Sequence, residues 1–269
     1  MQECKMITYH QYIPGRKNHP MAETAASALM EWLKGESDAA YAQMMIHRLS
    51  GTLADESEDR YFIAMDSKRC ISRLWFGWGR HSGCIGNFGN FRTAEEYRGK
   101  GIGHQLMQML LEDLRKTSEL PLALFCTAEE KHLAKLYGKW YGFRPVLKGM
   151  PQGPLYCPLN DSPADFHEFC RRYYQKANEL HFKPGGIGYR HEIDCLLAFT
   201  LCENREYENF GLKSFPTYES AWLAVKKEPS CGKLERIETE CGIVAGWAFT
   251  SANGKCEIQL HPLYHELVS

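Results

Sequence analysis

Apolar residues recur every three or four positions in several stretches of this chain, and other stretches carry short apolar runs. Ala25, Ala28, Leu29, Trp32 and Leu33 fall on one face of Pro20–Lys34, which predicts a helix ended by Gly35. Ser37 or Asp38 can cap a second helix running to about Leu49. Arg60–Met65 and Cys70–Trp78 read as strands. Cys84–Thr93 reads as a third, with apolar Ile85, Phe88 and Phe91 interrupted by Gly86 and Gly89. Glycines inside a strand pattern predict a bulge or a close backbone approach. Leu106, Met107, Leu110, Leu111 and Leu114 then return at helical spacing as far as Arg115, and this stripe reads as core packing. Pro121–Cys126 is a short apolar run that fits a buried strand. Thr127 can cap the next helix, with Glu129 and Glu130 in its first turn. That helix carries Ala134, Leu136 and Tyr137 towards Trp140, and Gly142-Phe143-Arg144-Pro145 ends it.

Prolines at 151, 154, 158 and 163 mark a boundary. Beyond it, Ser162-Pro163-Ala164-Asp165 predicts a helix start, with a serine cap and proline at the first position, reaching Leu180. Lys183-Pro184-Gly185-Gly186-Ile187-Gly188 reads as a plain turn, since no strand pattern precedes its glycines. Glu192–Cys202 is apolar and fits either helix or strand. Leu234–Thr239, Gly242–Thr250 and Cys256–Leu260 read as three strands, with Ser251-Ala252-Asn253-Gly254 as a hairpin turn.

Composition narrows the picture without deciding it. The chain has 269 residues, long enough for two domains, with 44% hydrophobic and 24% charged residues. A net charge of −1 gives no bulk attraction to nucleic acid or anionic membranes. The expectation is that neither is a partner. Eleven cysteines form no C-x-x-C pair, and several, such as Cys126 and Cys195, lie in apolar runs. Reduced, buried thiols and a cytoplasmic protein are expected. No secretory leader and no membrane span is expected, since no apolar run approaches ~18 residues. No metal is expected: His261 and His265 have helical ligand spacing, but Pro262 intervenes and no third ligand is evident.

The most specific signal is Arg98-Gly99-Lys100-Gly101-Ile102-Gly103-His104, placed between the third strand and an apolar helix. Alternate glycines let the backbone adopt positive φ and approach a ligand closely. The helix that follows offers its unbonded N–H groups and the positive end of its dipole, which suits a pyrophosphate. The dinucleotide fingerprint fails, because its third glycine would fall at His104, and no P-loop occurs. Arg98-x-x-Gly101-x-Gly103 resembles motif A of the GNAT acetyltransferase superfamily. The segment with Ala134, Leu136, Tyr137, Gly142 and Phe143 resembles that family's motif B, with one extra residue between tyrosine and glycine. Where the family often has asparagine three residues before that alanine, this chain has Lys131.

The resemblance implies a GNAT acyl-CoA N-acyltransferase fold, a mixed central sheet flanked by helices, over residues 1–158. Residues 159–269 are expected to form a smaller α+β domain. Their helices followed by antiparallel strands fit a truncated second GNAT-like module without a pyrophosphate site; an unrelated α+β domain is the other reading. The resemblance also implies an acetyl-CoA-dependent N-acetyltransferase acting on a primary amine of a small molecule or peptide, by direct attack in a ternary complex. The alternative is a GNAT-like acyl-CoA-binding regulatory or interaction protein. Acetyl-CoA would be held by Phe91, Arg92, Thr93, Arg98, Gly99, Lys100, Gly101, Ile102, Gly103 and His104, for the last through its amide. A strand N–H near Phe91–Thr93 would polarise the thioester carbonyl. Tyr137 would return a proton to the leaving thiolate. No general base is legible: Glu95, Glu96 and His81 are weak candidates. The two helices between the first and second strands would help to line the acceptor side.

Overall fold

The computed structural model describes residues 6–80, 85–117, 121–147, 149–204 and 211–268. It divides into two compact units, Met1–Arg80 with Asn87–Leu120, and His81–Gly86 with Pro121–Ser269.

In the first unit, β1 (Ile7–Tyr12) is followed by α1 (Pro20–Lys34), α2 (Ala39–Leu49), β2 (Ser57–Asp66), β3 (Arg69–Gly79), β4 (Ile85–Thr93), a 3-10 turn (Glu95–Tyr97) and α3 (Ile102–Lys116). The strands take the order β1-β2-β3-β4. β1 and β2 pair antiparallel from Ile7↔Asp66 to Tyr12↔Tyr61, and β2 and β3 from Ser57↔Gly79 to Asp66↔Arg69. Alternation along β2 separates two layers. Tyr61, Ile63 and Met65 pack with Ala25, Leu29 and Leu33 of α1 and Met45 and Leu49 of α2. Arg60 points the other way, where its guanidinium bonds Asp113 and Thr117 near the end of α3. The helix starts follow local chemistry. Asp38 caps α2 by accepting from Tyr41 N at 2.9 Å, and His19 caps α1 ahead of Pro20.

The second unit begins with β5 (Ala123–Ala128), α4 (Lys131–Tyr141), β6 (Arg144–Pro145), β7 (Gly153–Pro158) and α5 (Phe166–Tyr173). It continues with β8 (Leu180–Pro184), a 3-10 turn (Ile187–Tyr189) and a continuous helical run. That run is a π-helix at Glu192–Leu197, α6 (Ala198–Thr200) and a 3-10 end at Leu201–Asn204. Then come α7 (Tyr218–Lys227), β9 (Gly232–Thr239), β10 (Val244–Ser251), β11 (Cys256–Leu260) and a 3-10 segment at Pro262–Leu267. β5 and β6 both pair antiparallel with β7. A separate four-stranded sheet runs β11-β10-β9-β8, antiparallel throughout. One core cluster of this unit packs Phe125 and Tyr156 with Phe166 and Phe169 of α5, Phe199 of the helical run, Ile237 of β9 and Tyr264. Residues on both sides of position 158 therefore share it.

Four local expectations fail, the first being the plain turn at 183–188, since Lys183 and Pro184 belong to β8. Thr127 is not at the N-cap of α4: it is inside β5 opposite Pro154, and α4 starts at Lys131 after Glu130. Ser162 does not cap α5. Asp165 does, accepting from Glu168 N at 2.9 Å, while the Pro163 carbonyl is taken by the Tyr156 hydroxyl at 2.6 Å. That helix stops at Tyr173 rather than Leu180, because Leu180 opens β8 against Thr239. Glu192–Cys202 is helical.

His261 gives this unit a pH dependence. Its ring stacks on Tyr174 at 3.9 Å between centroids, and its Nδ1 accepts from Leu263 N at 3.2 Å. Burial, with a smaller push from His265, lowers its imidazole from the ordinary value to about 4. The folded protein therefore binds this proton less readily than the unfolded chain. The stabilisation is present above the unfolded value near 6.5 and drains away as pH falls towards 4. His261→Asn keeps a capping acceptor and loses the titration. In urea denaturation across pH 4 to 7.5 it should be less stable at pH 7 and show a flatter decline below pH 6.5 than the parent. Parallel curves would rule out His261 as the source.

Candidate functional site

The glycine loop of the first unit has an unusual main chain. Gly99 and Gly101 have φ of +74° and +76°, and a Cβ added at either would meet nothing within 4 Å. Positive φ, not crowding, is what requires glycine there. The Arg98 amide is bonded to Glu95 O at 3.1 Å, and the first helical bond of α3 is Gln105 N to Gly101 O at 3.0 Å. Between them, the amides of Gly99, Lys100, Gly101, Ile102 and Gly103 donate to no acceptor among the described residues. Successive N–H groups in such a turn form an anion-binding concavity at the positive end of a helix. The first turn of α3 contains no acidic side chain to occupy it.

Side chains brace this loop rather than fill it. Arg98 Nε donates back to Thr93 O at 3.3 Å. Lys100 Nζ lies over the Tyr97 ring, 4.9 Å from its centroid, and the Tyr97 hydroxyl bonds Asp66. Ile102 is buried beneath the turn. A Cβ on Gly103 would stand 3.1 Å from the Phe91 ring and 3.5 Å from Thr93 Oγ1, so this glycine lets β4 and α3 approach. His104 occupies the third helical position.

β4 presents different chemistry on its two faces. Phe91 and Thr93 face α3, and Thr93 Oγ1 bonds Ser72 Oγ at 2.8 Å. Arg92 faces the turn between α1 and α2, where its Nη1 donates to Glu36 Oε2 at 2.6 Å. Gly89 shares that face, since its Cβ would point at the Trp75 ring. Residues 89 and 92 are an odd number apart, so the alternation resets between them. Asn90, at φ +49°, is where it does. Sequence reading expected an irregularity at the glycines; the positive φ belongs to Asn90.

Glu36, Arg73 and Trp32 were not found from the sequence. Glu36 Oε1 also accepts from Arg73 Nη2 at 2.6 Å, and the Trp32 ring stacks on the Arg73 guanidinium at 4.5 Å. Arg73 is 2% exposed. The available signal was one arginine inside the apolar run Cys70–Trp78. A charge there must be buried or paired.

Tyr137 is in the second unit, on α4, packed against Phe143 and Tyr141 with centroids 6.2 and 6.4 Å away. Gly142, at φ +80°, ends α4 and turns the chain so that Phe143 N reaches Tyr137 O at 3.3 Å. Tyr137 is buried, and desolvation, reinforced by Cys126 and Tyr141, raises its hydroxyl well above the ordinary phenol range. Glu96 is ion-paired with Arg69 at 2.5 Å and its carboxyl is lowered, the wrong direction for a base working near neutrality. His81 lies outside the described residues. No group of three or more His, Cys, Asp or Glu placed to hold a metal ion occurs among the described residues. No helix among them is long and apolar enough to cross a membrane.

Solved structures similar to the chain include an acyl-CoA N-acyltransferase from Pseudomonas aeruginosa (19% identity, 56% of this chain and 99% of that one, TM-score 0.40). ElaA of Escherichia coli is similar over the same shares at 19% identity, with TM-score 0.41. YhbS of Escherichia coli, a GNAT family N-acetyltransferase solved in complex with CoA, matches at 19% identity over 57% of this chain and 84% of its own, with TM-score 0.39. No curated protein matches the sequence significantly. The acetyltransferase (GNAT) family model matches residues 25–143, the stretch from α1 through the glycine loop to Phe143. The chain thus carries an acetyltransferase domain of the GNAT family at residues 25–143.

Proposed function

We propose that the protein transfers an acetyl group from acetyl-CoA to a primary amine of a small molecule or peptide, by direct attack in a ternary complex. The observation that carries this reading is the run of undonated amides from Gly99 to Gly103 at the start of α3. They suit the pyrophosphate of the cofactor. Main-chain N–H groups of Phe91–Thr93 would polarise the thioester carbonyl. The amine nitrogen forms the C–N bond, the C–S bond breaks, the ammonium gives up a proton and the thiolate takes one. Holding both reactants together supplies much of the rate. Tyr137 is the proposed donor to the thiolate, supported by its place in the motif B pattern. Burial raises its hydroxyl, which makes it a weaker acid than a free phenol, so the motif position alone supports this role.

Calorimetric titration with acetyl-CoA, then thiol release across an amine panel, tests the reading. Gly101→Glu places a negative charge where the diphosphate would rest and should weaken acetyl-CoA binding by about 100-fold or more. Unchanged affinity would refute the loop assignment. Tyr137→Phe should lower turnover by about tenfold while the acetyl-CoA Kd stays within about twofold; unaltered turnover would leave Tyr137 a packing residue. Binding without release for any acceptor would favour an acyl-CoA-binding regulator.

For residues 180–260 we infer a second, cofactor-less GNAT-like module. The supporting observation is topological. β1, two helices, β2, β3 and β4 run in the order β1-β2-β3-β4, while β8, the helical run with α7, β9, β10 and β11 run in the order β8-β9-β10-β11. The resemblance ends where the glycine loop would begin. β11 is followed by His261 and Pro262, which has no N–H, and the next amide, Leu263 N, is consumed by His261 Nδ1. The full chain should bind one acetyl-CoA, and Gly103→Glu should abolish it. Two sites per chain would exclude this inference.

A further inference from the structure

The ion cluster between the α1–α2 turn and the ends of β3 and β4 indicates what kind of amine the enzyme takes. We propose that the acceptor also carries a carboxylate, which Arg92 receives with the charge of Arg73 behind it. The inference rests on the acetyltransferase reading above and concerns the acceptor side of that site.

The first ground is an imbalance of charge. One carboxylate, Glu36, serves two guanidinium groups, taking Arg73 Nη2 and Arg92 Nη1 at 2.6 Å each. The cluster therefore keeps one net positive charge. Arg73 is 2% exposed, and its Nε and Nη1 are buried with no hydrogen-bond partner. Leaving donors of a buried cation unmade is costly. Stacking on Trp32 offsets part of that cost. A second carboxylate beside Arg92 would neutralise the pair.

The second ground is position. Arg92 belongs to the Phe91–Thr93 segment proposed to hold the thioester, yet its side chain is on the face opposite Phe91 and Thr93, towards the α1–α2 turn. Its side chain is 53% exposed and anchored at one nitrogen by Glu36. An anchored guanidinium with a free edge is preorganised for a planar carboxylate.

The third ground is that acids elsewhere in this unit are already paired. Glu58 pairs with Arg16, Arg60 and Arg80. Asp59 accepts from Trp75 Nε1 at 2.7 Å, and Asp113 pairs with Arg60. A site for a polycationic acceptor would present spare carboxylates; this cluster presents spare donors.

The test uses the full chain and acetyl-CoA. Thiol release is followed with matched acceptors: glycine, β-alanine and 4-aminobutyrate, each beside its primary amide. Binding of the same compounds to CoA-saturated protein is followed by calorimetry. The acid should exceed its amide by about tenfold or more in kcat/KM, or in affinity, for at least one chain length. Arg92→Gln should bring acid and amide within about twofold. Loss of folded protein would lower both alike, so the ratio isolates recognition. Equal handling of acid and amide at every length overturns the proposal, as does a ratio untouched by Arg92→Gln. A preference for succinyl-CoA over acetyl-CoA with neutral amines that Arg92→Gln removes puts the carboxylate on the acyl group and also overturns it. Failure to bind acetyl-CoA defeats the acetyltransferase reading itself. It is measured before any acceptor is added, so the two failures are distinct.

Discussion

The proposed function depends on main-chain hydrogen bonds that the first unit leaves unmade. A buried or half-buried amide normally finds an acceptor. From Gly99 to Gly103 none does, because two residues at φ near +75° rotate consecutive N–H groups out of the chain's own reach. The cost is tolerable because the turn is exposed and water can serve it. The gain, on the proposed reading, is a preformed concavity for a diphosphate at the positive end of α3. The surrounding contacts fix the turn without entering it: Arg98 to Thr93 O, Tyr97 to Asp66, and Gly103 against Phe91.

β4 couples this loop to the rest of the unit. One face packs on α3 through Phe91 and Thr93, and the other is tied to the α1–α2 turn through Arg92 and Glu36. A regular strand would place residues 89, 91 and 93 on one side. The left-handed Asn90 resets the alternation, so Gly89 and Arg92 share a face. The strand's one arginine, Arg92, thus joins an ion cluster on the side opposite Phe91 and Thr93.

The second unit carries a similar strand order with different local chemistry at its end. β8–β11 repeat the strand order of β1–β4, but the turn after β11 is closed by its own residues. At the loop after β4, glycines keep amides open. After β11, the His261 ring takes the Leu263 amide and Pro262 has none to offer. The difference is local chemistry on a common topology.

The sequence by itself determined the glycine loop, the helix faces of α1 and α3, the hairpin between β10 and β11, and the family resemblance. Each rests on residues within a few positions of one another, where backbone sterics and helical periodicity act directly. Only the tertiary structure decided the limits of α5, because the Tyr156 hydroxyl takes the Pro163 carbonyl and β9 captures Leu180 as strand. It alone decided that Thr127 belongs to a strand. It alone joined Glu36, Arg73 and Arg92, which lie far apart along the chain and meet at a strand end. Local rules fix what a segment prefers. Which charges meet is settled when distant segments pack together.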